Sequence, residues 1–350
     1  MATSLVDQTP LMGVSAWLLG GLLTLAMMAS FAFQYTLGVL APAFTTELGV
    51  SRLGLGGITA TYYLSAALVS ATMGRRVGLL NSRAGVFLLF GLSAFACLFA
   101  AALATAWALF LAAGIAGIAA GLSNPVTNLV IAAREGRRGA LVGIKQAGVQ
   151  LAAVLVDIGI PLLAAGFGWR GAMALLALIL LALGFGLAAA VPLGGPYGSA
   201  GPHRSASLPR AVRWLCGYAF FMGAGMATLN TYLVLFAHDH VGLTAGTAGL
   251  LLATLGLAGG VSRFVSSVLA DRGQQLRLWM GFAASVAVLG VGIFASTTNP
   301  LIVWIGVVIV GMSGWVWPAH MAHLGGTLQW TLDGLRQHRM QLVSKPGATP

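Results

Sequence analysis

The sequence predicts an all-α, polytopic membrane protein of about ten transmembrane helices, and three observations carry that prediction. Of the 350 residues, 58% are hydrophobic and 7% charged, with a mean hydropathy of +0.92. An ordinary soluble domain is about 45–50% apolar and about 25% charged. The apolar residues run in long stretches, each near the roughly 20 residues a helix needs to cross the hydrocarbon core. The basic residues cluster between those stretches, as the loops of a polytopic protein do. This composition excludes a soluble globular enzyme, a disordered tail protein and a disulfide-stapled secreted domain.

The spans follow in order. No Asp, Glu, Lys or Arg occurs from Gln8 to Thr46, and the first span is placed at 15–40. The preceding Met1 to Pro10 carries Asp7 but no Lys or Arg, so it lacks the basic start of a cleavable signal peptide and the first span is expected to stay. A second span fits 54–73. Ala84 to Ala133 holds no charged residue and is long enough for two helices, with a break near Thr105. Further spans fall at 139–164, 171–192, 214–237, 246–270, 278–296 and 301–318.

The net charge of +11 and pI near 10.8 would suggest nucleic acid in a soluble chain. No basic patch interleaved with aromatic residues is present, so no nucleic-acid partner is expected. The charge instead sets topology. With the N-terminus inside, the inner loops hold Arg75, Arg76, Arg83, Arg134, Arg137, Arg138, Arg204, Arg210, Arg213, Arg272 and Arg277, and the tail holds Arg336, Arg339 and Lys345. The outer loops hold only Arg52 and Arg170, which predicts both termini on the cytoplasmic side of a cell inner membrane. Trp17, Trp107, Trp169, Trp214 and Trp304 lie near span ends, as an interfacial aromatic belt would place them.

The longest interior polar segment, Gly194 to Arg213, is rich in Gly, Pro and Ser and follows the sixth span. It divides the chain into an N-terminal bundle (1–192), a cytoplasmic linker (193–213), a C-terminal bundle of four helices (214–318) and a basic tail (319–350). Both halves open with two spans of similar length followed by a basic loop, which is the pattern of a parallel internal repeat. In the tail, Leu324, Leu328, Leu332, Leu335 and Leu342 form one helical stripe, read either as a helix on the anionic inner leaflet or as a frayed end.

At this point the chain resembles the major facilitator superfamily. Gly260-Val-Ser-Arg263 through Leu269-Ala-Asp271-Arg272-Gly273 is similar to that family's loop signature between the second and third helices of a bundle. The first-half counterpart, Gly74-Arg-Arg-Val-Gly78 to Arg83, keeps the Gly and the distal Arg but has Gly78-Leu79 where the family carries Asp-Arg. Gly143-Ile-Lys-Gln-Ala-Gly148 and the turn Gly168-Trp-Arg-Gly171 are similar to its fifth and sixth helices. The resemblance implies a two-bundle fold, secondary transport of a small solute by alternating access, no cofactor, and a conformational gate at Gly74, Arg83, Arg263, Asp271 and Arg272. Family members usually have twelve helices, six per bundle. The 32 residues after Pro318 include Asp333, Arg336 and Arg339 and form no further spans, so the second bundle is expected to be incomplete, as if truncated.

Ionisable residues at membrane depth cost about 2.5–3.5 kcal/mol on insertion scales, so each needs a reason. Asp157 is the one acid well inside a span. Gln146, Gln150 and Asp157 share a polar stripe about 40° wide on a helix drawn at about 100° per residue. Asp157 is expected either to carry a proton or hold a cationic group, or to rest as a neutral carboxyl bonded to a neighbouring helix. Lys145 reads as a contact for an anionic substrate, or as a snorkelling or gating cation. Asn124 and Asn128 are one turn apart beside Pro125, and the resemblance makes Gln34, Tyr35, Asn124, Asn128, Asn230 and Tyr232 lining candidates for a central cavity. For any one of them, hydrogen bonding between helices, worth about 0.6 kcal/mol, is the competing role.

Gly114, Gly117 and Gly121 share a helix side and Gly256 with Gly260 forms a GxxxG, both signs of close helix approach. His238-Asp239-His240 is adjacent in a loop, a poor geometry for a metal site, and the two cysteines, Cys97 and Cys216, imply no disulfide framework or metal site. No nucleotide-binding loop and no converging Ser/His/Asp set occurs, so neither an ATP-driven pump nor a membrane enzyme is expected. Two rivals remain at this level. A ten-helix drug/metabolite-type transporter would repeat every five helices, and the linker after the sixth opposes it. A non-transporting scaffold or truncated product would show no solute flux.

Overall fold

A computed structural model describes residues 16–73, 82–132, 138–190, 210–270 and 276–314, and every described element is a helix. In order they are α1 (Ala16–Val39), α2 (Ala41–Glu47), α3 (Arg52–Met73), α4 (Ser82–Leu103), α5 (Ala106–Ala132), α6 (Arg138–Ala190), α7 (Arg210–Asp239), α8 (Ala245–Ala270), α9 (Leu276–Ala295) and α10 (Pro300–Gly314). Among the described residues, eight helices are long and apolar enough to cross a membrane. One of these, α6, is broken at Gly168 and holds two of the expected spans, while α10 supplies a shorter apolar segment of 15 residues. Each of the ten spans read from the sequence therefore coincides with a helical segment. The tail from 319 lies outside the described residues.

Local chemistry explains where the helices stop. Leu40 has left helical geometry, and Pro42 in the first turn of α2 has no N–H to continue the α1 ladder. Gly49 ends that short helix with φ of +63°, a conformation that glycine adopts without a Cβ penalty. Four helix starts are capped by hydroxyl or amide oxygens. Ser51 accepts from the Gly54 N–H, Thr105 from Ala108, Thr244 from Thr247 and Asn299 from Leu301, at 3.0 to 3.3 Å. Each cap satisfies one of the donors that a helix start leaves open. Thr105 is the point where the sequence placed the break between the third and fourth spans.

Gly168, with φ of +67° and ψ of 169°, reverses the chain between the two segments of α6, α6a (138–167) and α6b (169–190). Trp169 follows it and is buried, its indole N–H donating to the Glu47 carboxylate at 2.8 Å and its ring standing edge-on to Phe44. This corrects the belt assignment for Trp169. Its polar edge is satisfied by protein, whereas Trp17, Trp107 and Trp214 are strongly exposed. Arg170 donates to the carbonyls of Ala101 and Ala102 at the end of α4, where a cation also complements the helix dipole.

Small residues set the packing. A Cβ on Gly148 would meet the Thr24 carbonyl of α1, and one on Gly117 or Gly121 would meet the Tyr62 or Ala66 carbonyl of α3. These glycines let backbones touch where no hydrophobic drive separates helix from lipid. Helices α1, α3, α4, α5 and α6 pack as one group, and α7 to α10 as another. The groups meet through α6a against α8 and α1 against α7, with α2 and α3 adding to α7. Outward-facing Leu64, Leu68, Phe220, Phe221 and Val288 leave an apolar surface that suits lipid and would be a liability in water.

Candidate functional site

Two polar clusters lie inside the apolar bundle, both on α6a. The first centres on Lys145, which is 1% exposed. Its ammonium donates to Asn128 Oδ1 at 2.6 Å, Thr127 Oγ1 at 2.8 Å and Asn124 Oδ1 at 3.1 Å. All three acceptors sit on α5, and Thr127 passes its own proton to the Ser123 carbonyl at 2.6 Å. Lys145 therefore does not snorkel: its three N–H groups are used within the bundle. The two asparagines do face the same way, and Thr127 is the partner that the sequence reading left out. The signal was present, because 124, 127 and 128 are one turn apart on α5.

The second cluster lies where α6a crosses α8. The backbone carbonyl of Asp157 sits against Gly249, the Ala153 side chain against Gly256 and the Gln150 side chain against Gly260, an antiparallel register set by glycines. Gln150 donates across this seam to the Gly256 carbonyl at 3.1 Å. Its Oε1 makes no hydrogen bond to the described residues. Neither carboxylate oxygen of Asp157 makes one either, although the residue is only 1% exposed. Tyr35 of α1, also buried, lies within electrostatic reach of Asp157, Arg263 and Tyr63. Arg263 is half-buried on α8. Gln34 is buried, Gln146 is half-buried and Arg83 is half-buried near the start of α4. Gly74, Asp271 and Arg272 lie outside the described residues.

Asn230 is buried on α7 at a point where α1 comes so close that a Cβ on Gly38 would overlap the Asn230 carbonyl oxygen; its Nδ2 has no partner among the described residues. Tyr232, one of the cavity candidates, instead donates its hydroxyl to the Arg52 carbonyl at 2.6 Å. It belongs to a seam between the helix groups that includes the Thr59–Thr231 hydroxyl pair at 2.9 Å and the Arg52–Asp239 ion pair at 3.0 Å. His238 also approaches Asp239, at 3.1 Å. Sequence patterning carried no sign of this seam, since its partners lie far apart in the chain.

Comparison with known proteins agrees with this architecture. No curated protein matches the chain. Among solved structures, a bacterial homologue of the human lysosomal transporter Spinster, in an inward-facing and unoccupied conformation, aligns with a TM-score of 0.68 at 17% identity, covering 87% of this chain and 74% of that one. A D-xylose–proton symporter aligns with a TM-score of 0.56 at 14% identity, covering 85% and 80%. At these identities the likeness is one of fold. The family model of the Major Facilitator Superfamily matches residues 22–326, and the chain belongs to that family of multi-pass membrane transporters.

Proposed function

We propose that this chain moves a small organic anion across the cell inner membrane by alternating access, coupled to a proton carried by Asp157. The observation that carries the proton assignment is the Asp157 carboxyl, buried at the seam of α6a and α8 with neither oxygen hydrogen-bonded among the described residues. Burial without a partner penalises the carboxylate form. Separating α6a from α8 admits water, lowers that penalty and lets the proton leave. Proton loss is thereby tied to the same movement that exposes the interior. Gln34, Tyr35, Gln150, Asn230 and Arg263, drawn from α1, α6a, α7 and α8, are the polar groups that the solute would meet between the helix groups.

With the basic loops on the cytoplasmic side, both termini are inside and the Arg52–Asp239 end faces outward. The Thr59–Thr231 and Tyr232–Arg52 bonds then close the outer end, so the structure is read as inward-facing. The 193–213 division, whose last four residues open α7, is the join between the two groups that rock.

The test is flux into liposomes that contain the purified chain and a trapped pH dye, with a panel of small organic acids added outside. Solute entry should alkalinise or acidify the lumen in step with a pH gradient. Asp157→Asn should preserve the fold, because the amide is close in shape and displaces no hydrogen bond. It should also abolish the dependence on the pH gradient. Flux that still follows the gradient in Asp157→Asn rules this residue out as the proton carrier.

A further inference from the structure

We propose that Lys145, with Asn124, Thr127 and Asn128, forms a binding site for the carboxylate of a small organic monoanion. This deepens the transport reading and rests on it. The site is distinct from the Asp157 cluster. The two residues are twelve apart on α6a, about 18 Å at 1.5 Å per residue, so the carboxylate and the proton occupy different levels of the same helix.

The argument begins with charge. Lys145 is a buried cation whose three acceptors are all neutral, and neither ion pair among the described residues involves it. Neutral acceptors satisfy its N–H groups without cancelling its charge. A buried charge lacking a counter-charge is held at a cost that an arriving anion removes. The cluster is also accessible: Asn128 is exposed and Asn124 half-buried, while Lys145 and Thr127 are sealed behind them. An anion therefore meets the two carboxamides first.

The geometry selects the ligand. Both asparagine oxygens are turned to the ammonium, which leaves their NH2 groups as free-facing donors of the set. An incoming carboxylate takes an ammonium N–H from one amide oxygen and accepts an amide N–H in return. The bond formed joins two ions, whereas the one it replaces joined the ammonium to a neutral amide oxygen. Thr127 stays in place, because its proton is committed to the Ser123 carbonyl. One positive charge matches one negative charge, which favours a monocarboxylate over a phosphate dianion.

The experiment is titration calorimetry and thermal unfolding of the purified full chain in detergent, with sodium benzoate and inorganic phosphate as probes. Benzoate should bind saturably and raise the unfolding midpoint, with phosphate at least roughly tenfold weaker. Lys145→Met should weaken benzoate by roughly ten- to a hundredfold, the worth of charged hydrogen bonds. Asn128→Asp places an internal carboxylate on the ammonium, so it should unfold no earlier than the natural chain and yet lose benzoate binding. Absence of saturable benzoate binding, or benzoate affinity unchanged in both variants, overturns the site. Phosphate binding more tightly than benzoate overturns the carboxylate assignment. Flux that follows the pH gradient without benzoate binding sinks this site and leaves the proton-coupled reading standing.

Discussion

The hydroxyls of Thr59 on α3 and Thr231 on α7 lie 2.9 Å apart, forming a buried hydrogen bond between the two helix groups. Side chains whose oxygens are this close have Cβ atoms near the separation a disulfide requires. In a background with Cys97→Ala and Cys216→Ala, the pair Thr59→Cys and Thr231→Cys is expected to crosslink readily on oxidation. Solute flux should stop with the crosslink and return on reduction. Undiminished flux through the crosslinked chain would contradict an opening of this seam during transport.

The neighbouring Arg52–Asp239 pair is more exposed, with side chains 65% and 31% accessible. Exposed pairs contribute about 0–1 kcal/mol, and a neutral hydrogen bond such as Tyr232 to the Arg52 carbonyl about 1 kcal/mol. Arg52→Ala combined with Tyr232→Phe should therefore leave the unfolding midpoint nearly unchanged while shifting the balance of open and closed forms. Spin labels at Leu53→Cys and His240→Cys, both exposed sites, should show a longer mean distance in the double variant. An unaltered distance distribution would remove these two contacts from the closure.

Glycine substitutions separate close approach from open space. A Cβ on Gly148 would overlap the Thr24 carbonyl, so α1 and α6a must move apart in Gly148→Ala. Overpacking of this kind costs about 1–3 kcal/mol. A Cβ on Gly143, five residues earlier on the same helix, meets nothing within 4 Å. Gly143→Ala should be neutral or stabilising by up to about 1 kcal/mol through helix propensity. Thermal unfolding in detergent should rank the two variants in that order.

Trp169 and Glu47 form a third joint, with the indole N–H 2.8 Å from the carboxylate and the ring edge-on to Phe44. Trp169→Phe keeps an aromatic ring but removes the donor, and a hydrogen bond to a charged group is worth about 1.5–3 kcal/mol. Glu47→Ala removes the other half. The double variant is expected to lose clearly less than the sum of the two single losses, because both delete one bond. Additive losses in unfolding midpoints would show that the bond carries no stability.

Much of the fold was legible in one dimension. Hydropathy is a property of each stretch of about 20 residues, so the helices from Ala16–Val39 to Pro300–Gly314 were readable without any neighbour. Several ends were legible for the same reason: Thr105 caps the helix that follows it, and Gly168 takes a backbone conformation that suits glycine. The family signature around Arg263 likewise depended on local residues. Even the polar stripe of Gln150 and Asp157 followed from helical periodicity alone, and the structure buries both residues.

What tertiary structure alone decided is which polar group meets which. Lys145 carried three readings in the sequence, and only the rotation of α5 against α6a directed its ammonium to Asn124, Thr127 and Asn128. Trp169 read as a lipid-interface residue until α2 brought Glu47 to its indole. Arg52 and Asp239 are 187 positions apart, and neither residue carries a local sign of the other. The physical reason is one of range. Transfer of a helix into lipid is governed by its own side chains, whereas a hydrogen bond needs two atoms placed within about 3 Å. That placement is set by helix rotation and by glycines such as Gly148, Gly249 and Gly256, whose packing partners exist only in the folded bundle.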